Sequence, residues 1–206
     1  MATQLLQESA PRPAGDVTSA GADITPGRRA ASGGHYLRAR EARAIAVVRM
    51  AFGVIWAVDA ALKWLPSFAA YALMDTLGDA AVGQPPLVQG WIDGWMSVAD
   101  AFPVGLAISL ALAETSIAVA LLSGAFTNAV CLAGAVVSLL IWSTGEGFGG
   151  PYGDGSTDVG ASPIYILVFA LLAVVGAGGT WGLDRLLHPH LGRFRWVSSR
   201  PSGGLD

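Results

Sequence analysis

Four charged side chains lie within apolar stretches of this 206-residue chain, and they are its best candidates for chemistry. Arg49, Asp59 and Lys63 belong to the run RAIAVVRMAFGVIWAVDAALKWL, and Glu114 belongs to AETSIAVALLSG. An ionisable residue in an apolar span is costly, faces the protein interior and marks a functional site by default. A buried carboxylate such as Glu114 would either pair with Arg49 or take up a proton. Asp59 can contact Lys63, which follows it by one helical turn.

The first apolar run places its polar residues on one stripe of a helix. At about 100° per residue, Lys63 lies roughly 40° and Asp59 roughly 80° around the axis from Arg49. Phe52 and Trp56 fall in the same sector. This stripe must face other helices. Buried ion pairs that only fix helix register are the structural alternative to a functional site.

The composition predicts an all-α, polytopic membrane protein. Hydrophobic residues make up 53% of the chain and charged residues 13%, with a mean hydropathy of +0.53. The apolar residues form blocks long enough to cross a bilayer, so we predict a four-helix transmembrane bundle. The predicted spans are Ala44–Leu65, Pro103–Ser123, Asn128–Ser143 and Ser162–Trp181, the last with Ser162 as N-cap.

The charges are separated by loop, which predicts the orientation. Basic residues flank the start of the first span and the end of the last: Arg28, Arg29, Arg38, Arg40, Arg43, Arg185, Arg193, Arg195 and Arg200. By the positive-inside rule both termini are cytoplasmic and the protein is a multi-pass protein of the cell membrane. We predict a disordered cytoplasmic tail over 1–42, a membrane domain over 43–187 and a cytoplasmic tail over 188–206.

Two acidic loops are predicted outside. Residues 66–102 favour two amphipathic helices broken at Gln84-Pro85-Pro86, which either rest at the outer interface or cover a site. The glycine-rich loop after the third span carries Glu146, Asp154 and Asp158. Those acids lack the alternation of a calcium loop and have no histidine nearby, so we predict no metal site.

Several cofactors are not expected. Cys131 is the only cysteine, which excludes a cysteine-ligated cluster and a CxxC motif. His35, His188 and His190 all lie on the predicted cytoplasmic side, so no bis-histidine haem fits in the membrane. We also find no flavin motif, and GxGxxG at Gly145 follows a helix instead of a strand.

The chain resembles the DoxX family, and in particular its DoxD-like members. The resemblance rests on VRMAFGVIWAVDAALKW, AETSIAVALLSG and WSTGEGFGGPYGDGSTDVGASPIYILVF, within residues 45 to 180. The family consists of small four-helix membrane proteins. Its DoxD-like members are similar to the membrane subunit of a thiosulfate:quinone oxidoreductase, and other members are membrane partners of oxidative-stress proteins.

The resemblance implies an oxidoreductase subunit that lies in the lipid bilayer, interacts with a quinone and acts beside a second subunit. We expect no nucleic-acid partner. A quinone needs a flat apolar slot, polar groups at its carbonyls and a proton path. We therefore assign catalytic roles to Glu114, Lys63 and Asp59, and quinone-binding roles to Arg49, Trp56, Glu146 and Asp158. Two alternatives stay open: a non-catalytic anchor or assembly partner, and a small proton-coupled transporter.

Overall fold

The computed structural model of the protein describes residues 26–154, 156 and 158–200, and within these ranges every regular element is a helix. The helices are α1 (Pro26–Lys63), α2 (Leu73–Ala81), α3 (Pro86–Ala101), α4 (Pro103–Ser123), α5 (Thr127–Ser143), α6 (Ser162–Val174) and α7 (Asp184–Leu187). A π-helical turn, Phe68–Ala72, leads into α2, and short 3₁₀ turns occupy Gly147–Gly149, Ala177–Gly179, His188–His190 and Gly192–Val197. The predicted all-helical class is confirmed.

Four helices, α1, α4, α5 and α6, meet around one apolar core. Helix α1 packs along α4, and α5 packs along α6. We call the end with the α4–α5 turn and the C-terminal segment the turn end, and the end with α2, α3 and the glycine-rich loop the loop end. The core between them is formed by Phe52, Trp56, Ile117, Ala118, Leu121, Cys131, Phe169, Leu172 and Ala177.

The contact between α5 and α6 depends on one glycine. A Cβ atom at Gly134 would overlap the ring of Phe169, which is itself fully buried. Because Gly134 has no side chain, the Phe169 ring of α6 packs directly against the backbone of α5. Small residues such as this one allow apolar helices to approach each other closely.

Helices α2 and α3 form a smaller unit at the loop end. They pack on each other through Leu77, Ile92 and Ala99, which are all buried, and Leu106 of α4 packs against this cluster. Pro86 occupies the first turn of α3, where its missing N–H costs nothing. The two helices predicted between residues 66 and 102 are thus present.

Two helices are long and apolar enough to cross a membrane, by length and composition alone. They cover Ala39–Lys63, with 25 residues, and Pro103–Ser123, with 21. Helices α5 and α6 are apolar but shorter, with 17 and 13 residues. The two long apolar helices favour a membrane protein. The arrangement with four spans stays a prediction.

The helix bounds differ from the predicted ones at two places. Helix α1 begins at Pro26, so residues 26–42 are helical where a disordered tail was predicted; Ala, Arg and Glu in this stretch are good helix formers. Residues 1–25 of that tail, and 201–206 of the C-terminal one, lie outside the described residues. Helix α6 ends at Val174 and not near Trp181, because Gly176 adopts φ +66° and stops the helix.

Candidate functional site

The buried glutamate of α4 pairs with the lysine that ends α1. Lys63 Nζ lies 3.7 Å from Glu114 Oε2, and the glutamate side chain is 1% exposed against 23% for the lysine. This distance is too long for a hydrogen bond, and Oε2 has no hydrogen-bond partner within the described part of the chain. The pair is therefore an ion pair whose carboxylate has spare accepting capacity.

This pairing corrects two expectations. Glu114 was expected either to pair with Arg49 or to take up a proton, but the antiparallel register of α1 and α4 brings Lys63 to it. A contact between Asp59 and Lys63 was also expected. Among the described residues the only ion pair within 4 Å is the one across the two helices. The lysine therefore pairs with the buried carboxylate of Glu114 and not with the half-buried Asp59.

Other groups complete a polar layer around the pair. Asp59 precedes Lys63 by one helical turn on α1, and Tyr165 of α6 contacts the rings of Phe52 and Trp56. Lys63 Nζ also stands 5.3 Å from the centre of the Phe68 ring, which favours a cation. Together with the ion pair, these groups form a polar layer to which α1, α4 and α6 each contribute a side chain.

A cluster of aromatic rings lies beneath this layer. Phe52 stands 4.9 Å from Phe169 and 5.4 Å from Tyr165, measured between ring centroids. Trp56 stands 5.4 Å from Phe169 and is 1% exposed. Its indole N–H has no hydrogen-bond partner within the described ranges. The cluster is close-packed, so Trp56 contributes to the core around the site and does not line an open slot.

An apolar cavity lies on the neighbouring face of α4. Its volume is about 250 Å³. It separates α2 and α3 from α4 and α5, and its wall is formed by Leu73, Leu77, Trp95, Leu106, Ser109, Leu110, Ala113, Val137, Leu140, Ile141 and Thr144. Ala113 directly precedes Glu114, so this cavity reaches the level of the ion pair.

Arg49 lies at the turn end, away from the layer, and is fully buried. Its two terminal nitrogens donate to Ala177 O at 3.0 Å and to Trp181 O at 2.9 Å. A Cβ at Gly124 or Gly182 would collide with the guanidinium group, so both glycines make room for it. These contacts give Arg49 a structural role: it binds the backbone carbonyls that follow α6.

Asp184 completes the turn end and was not singled out from the sequence. It is fully buried. Its carboxylate accepts hydrogen bonds from the backbone N–H groups of Phe126 at 2.6 Å, Thr127 at 3.0 Å and Ser199 at 2.8 Å. It thus caps the start of α5 from a distant part of the chain, where a negative charge is favoured.

Two of the three acids of the glycine-rich loop, Glu146 and Asp158, also have local partners. Glu146 accepts hydrogen bonds from the Ser162 hydroxyl at 2.8 Å and from its backbone N–H at 3.2 Å, and so caps α6. The predicted capping role of Ser162 itself is wrong, since Ala161 is the N-cap. Asp158 is exposed and accepts from the N–H of Gly160 at 2.8 Å.

The structure therefore divides the seven predicted site residues into three groups. Lys63, Glu114 and Asp59 lie together at the polar layer. Trp56 lies below them in the core. Arg49, Glu146 and Asp158 each lie elsewhere with partners of their own. Sequence reasoning missed Tyr165 and Asp184, and the signal for Asp184 was a lone acid within an arginine-rich stretch.

Within the described ranges, no group of three or more His, Cys, Asp or Glu side chains is arranged to hold a metal ion. Comparisons of the chain with protein-family models, with curated proteins and with solved structures find no match.

Proposed function

We propose that the protein is a four-span membrane protein that binds a quinone beside the Lys63–Glu114 pair and acts with a second, electron-donating subunit. The observation that carries this proposal is the buried carboxylate of Glu114, whose Oε2 has no hydrogen-bond partner among the described residues. Such a group must find a proton, a water or a ligand. The resemblance to DoxD-like proteins supplies the quinone hypothesis.

The four-span arrangement is supported by where the apolar residues lie. Large hydrophobic side chains are exposed along all four core helices, for example Val58, Leu112, Val136 and Leu167 at 49–69% exposure. The buried positions instead include Arg49 and Glu114. Apolar residues outside and charges inside suit a chain surrounded by lipid. The short α6 and the 3₁₀ turn that follows Gly176 would together form the fourth span, and the loop end would face outside.

We propose that the quinone ring binds in the apolar cavity between α2, α3, α4 and α5. The cavity of about 250 Å³ has an aromatic wall at Trp95, hydroxyls at Ser109 and Thr144, and an otherwise apolar surface. Flat apolar ligands bind such cavities. Glu114 and Lys63 do not line this cavity; the Glu114 side chain lies on the neighbouring face of α4, toward Lys63. There it would take up and release the proton beside the cavity, and Lys63 would stabilise its charged form.

Quinone binding to the purified protein, followed by tryptophan fluorescence, tests the proposal. Wild-type protein should show saturable quenching, and Trp95→Phe should lose most of it because Trp95 lines the cavity. Glu114→Gln should weaken binding, whereas Asp93→Asn, which removes an exposed carboxylate of α3, should not. Quenching that does not saturate in the wild type would reject the proposal.

One observation favours a second candidate, a non-catalytic membrane anchor or assembly partner. The aromatic rings below the layer are packed with centroids 4.9–6.3 Å apart, and Lys63 already pairs with Glu114. A core that is complete by itself suits a structural role. Absence of quinone binding together with co-purification of another membrane subunit would favour this candidate.

A further inference from the structure

The C-terminal segment, residues 181–200, forms a collar around the turn end, which we call the basic collar. It carries one acid, Asp184, and the four arginines Arg185, Arg193, Arg195 and Arg200. Asp184 is fully buried and occupied by backbone N–H groups, so it does not offset these charges at the surface. All four arginines are exposed, and the collar presents a positive surface.

The collar is fixed to the helix ends by hydrogen bonds. The N–H groups of Leu183 and Asp184 donate to Ser123 O and Gly124 O at the end of α4, at 3.0 and 2.8 Å. At the start of α5, the Asn128 side chain donates to Trp196 O and Ser198 O, both at 3.1 Å. The collar is therefore held at the level where the apolar parts of α4 and α5 stop.

The outward side chains of the collar are apolar and aromatic as well as basic. Leu186, Phe194 and Trp196 are 65%, 51% and 62% exposed. Aromatic side chains and arginines side by side at the end of a span are typical of residues at the membrane–water boundary. A nucleic acid would match the arginines but leave these apolar side chains without a partner.

A polar cavity opens between the collar and the end of α6. Its volume is about 410 Å³, and its wall joins Asn128, Ser199 and Arg200 on the polar side to Ala173, Val174 and Val175 on the apolar side. Val174 is 86% exposed. On the polar wall, Asn128 and Ser199 hydrogen-bond within the protein, so Arg200 supplies the charge that a ligand would meet. A cation beside a hydrocarbon wall matches the phosphate and the first acyl carbons of a phospholipid.

We propose that this cavity binds an anionic phospholipid of the cytoplasmic leaflet, with the phosphate beside Arg200 and an acyl chain along Val174. The proposal rests on the proposed membrane topology but not on quinone binding. The arginines of the collar add long-range attraction, and Arg200 adds the local contact. A surface arginine near an anionic membrane contributes a factor of about five to binding.

Native mass spectrometry of the full-length protein in detergent, titrated with phosphatidylglycerol or phosphatidylcholine, tests this site. Wild-type protein should bind phosphatidylglycerol more tightly. Arg200→Gln should lower that affinity about fivefold, while Arg200→Lys should retain most of it. Arg43→Gln, which removes an exposed arginine of α1 outside the cavity, is the matched control and should leave the affinity unchanged.

Equal binding of the two lipids by the wild type, or equal loss in Arg43→Gln and Arg200→Gln, would overturn the site. Tighter binding of an RNA oligonucleotide than of lipid would overturn the choice of partner. The topology is tested separately with His190→Cys and a membrane-impermeant thiol reagent. Labelling in intact cells would contradict a cytoplasmic collar even if the purified protein prefers the anionic lipid.

Discussion

The two ends of the molecule bury charge in different ways. At the turn end, Asp184 accepts three backbone hydrogen bonds, and both terminal nitrogens of Arg49 donate to carbonyls. At the polar layer, Glu114 is as deeply buried as either, yet it has one ion-pair partner at 3.7 Å. Asp184 and Arg49 hold the fold through several backbone hydrogen bonds, although Arg49 Nε has no partner among the described residues. Glu114 Oε2 has no hydrogen bond there, so this carboxylate is available to a ligand or a proton.

The largest effect on stability is expected at the turn end. Asp184→Ala leaves three backbone N–H groups without their acceptor, two of them at the start of α5. We expect a loss of about 3–5 kcal/mol in the free energy of unfolding, because each unsatisfied buried donor is costly. Thermal unfolding in detergent measures it, with Asp93→Asn as an exposed control. A melting temperature within a degree or so of wild type would show that the Asp184 contacts do not hold the collar.

The polar layer should respond differently, because its charges can be removed as a pair. Lys63→Met leaves the buried Glu114 carboxylate unpaired and should cost about 2–3 kcal/mol, at the low end for buried pairs because Lys63 is partly exposed. Adding Glu114→Gln should recover most of that loss, since no buried charge then remains. No recovery in the double variant would mean that the pair itself is a structural requirement like Asp184.

The contact between α5 and α6 tests the effect of packing on stability, because no charged group takes part in it. Gly134→Ala places a Cβ into the Phe169 ring and should cost about 1–3 kcal/mol. Gly90→Ala in α3 meets nothing within 4 Å and should instead stabilise the protein by up to about 1 kcal/mol through helix propensity. Equal effects of the two substitutions would mean that α6 can move away from α5 at no cost.

The smallest effect is expected at the glycine-rich loop. Glu146→Gln keeps the shape of the side chain but removes the charge that accepts two hydrogen bonds from Ser162. We expect a loss of about 1 kcal/mol from the weakened cap of α6. Unfolding curves of this variant measure the capping role of Glu146, and quinone titrations measure its binding role. Loss of quinone affinity without loss of stability would restore the predicted binding role of Glu146.

Helix bounds and buried helix faces could be predicted where residues close in sequence determine them. Helix α4 has the predicted bounds, because Pro103 suits the first turn and Gly124, with φ +63°, ends the helix. The burial of Arg49, Phe52 and Trp56 on one face of α1 also follows from their spacing. These features depend on neighbours along the chain.

The partners of the buried charges could not be predicted, because they depend on register between helices. Both Arg49 and Lys63 lie on the stripe that faces Glu114, and only the packing of α1 on α4 selects Lys63. The partners of Asp184 are backbone N–H groups at distant residues, which carry no side-chain signal in the sequence. The same reason explains why Tyr165 was missed.

The most direct test of the central claim is quinone binding by the double variant Lys63→Met with Glu114→Gln. Its fold should be close to wild type, so its affinity reports on the charges and not on stability. We expect saturable tryptophan quenching in the wild type and at least about a tenfold weaker affinity in the double variant, as for the loss of a charge-assisted contact. Equal affinity in a stable double variant would contradict the account and leave the Lys63–Glu114 pair a structural element.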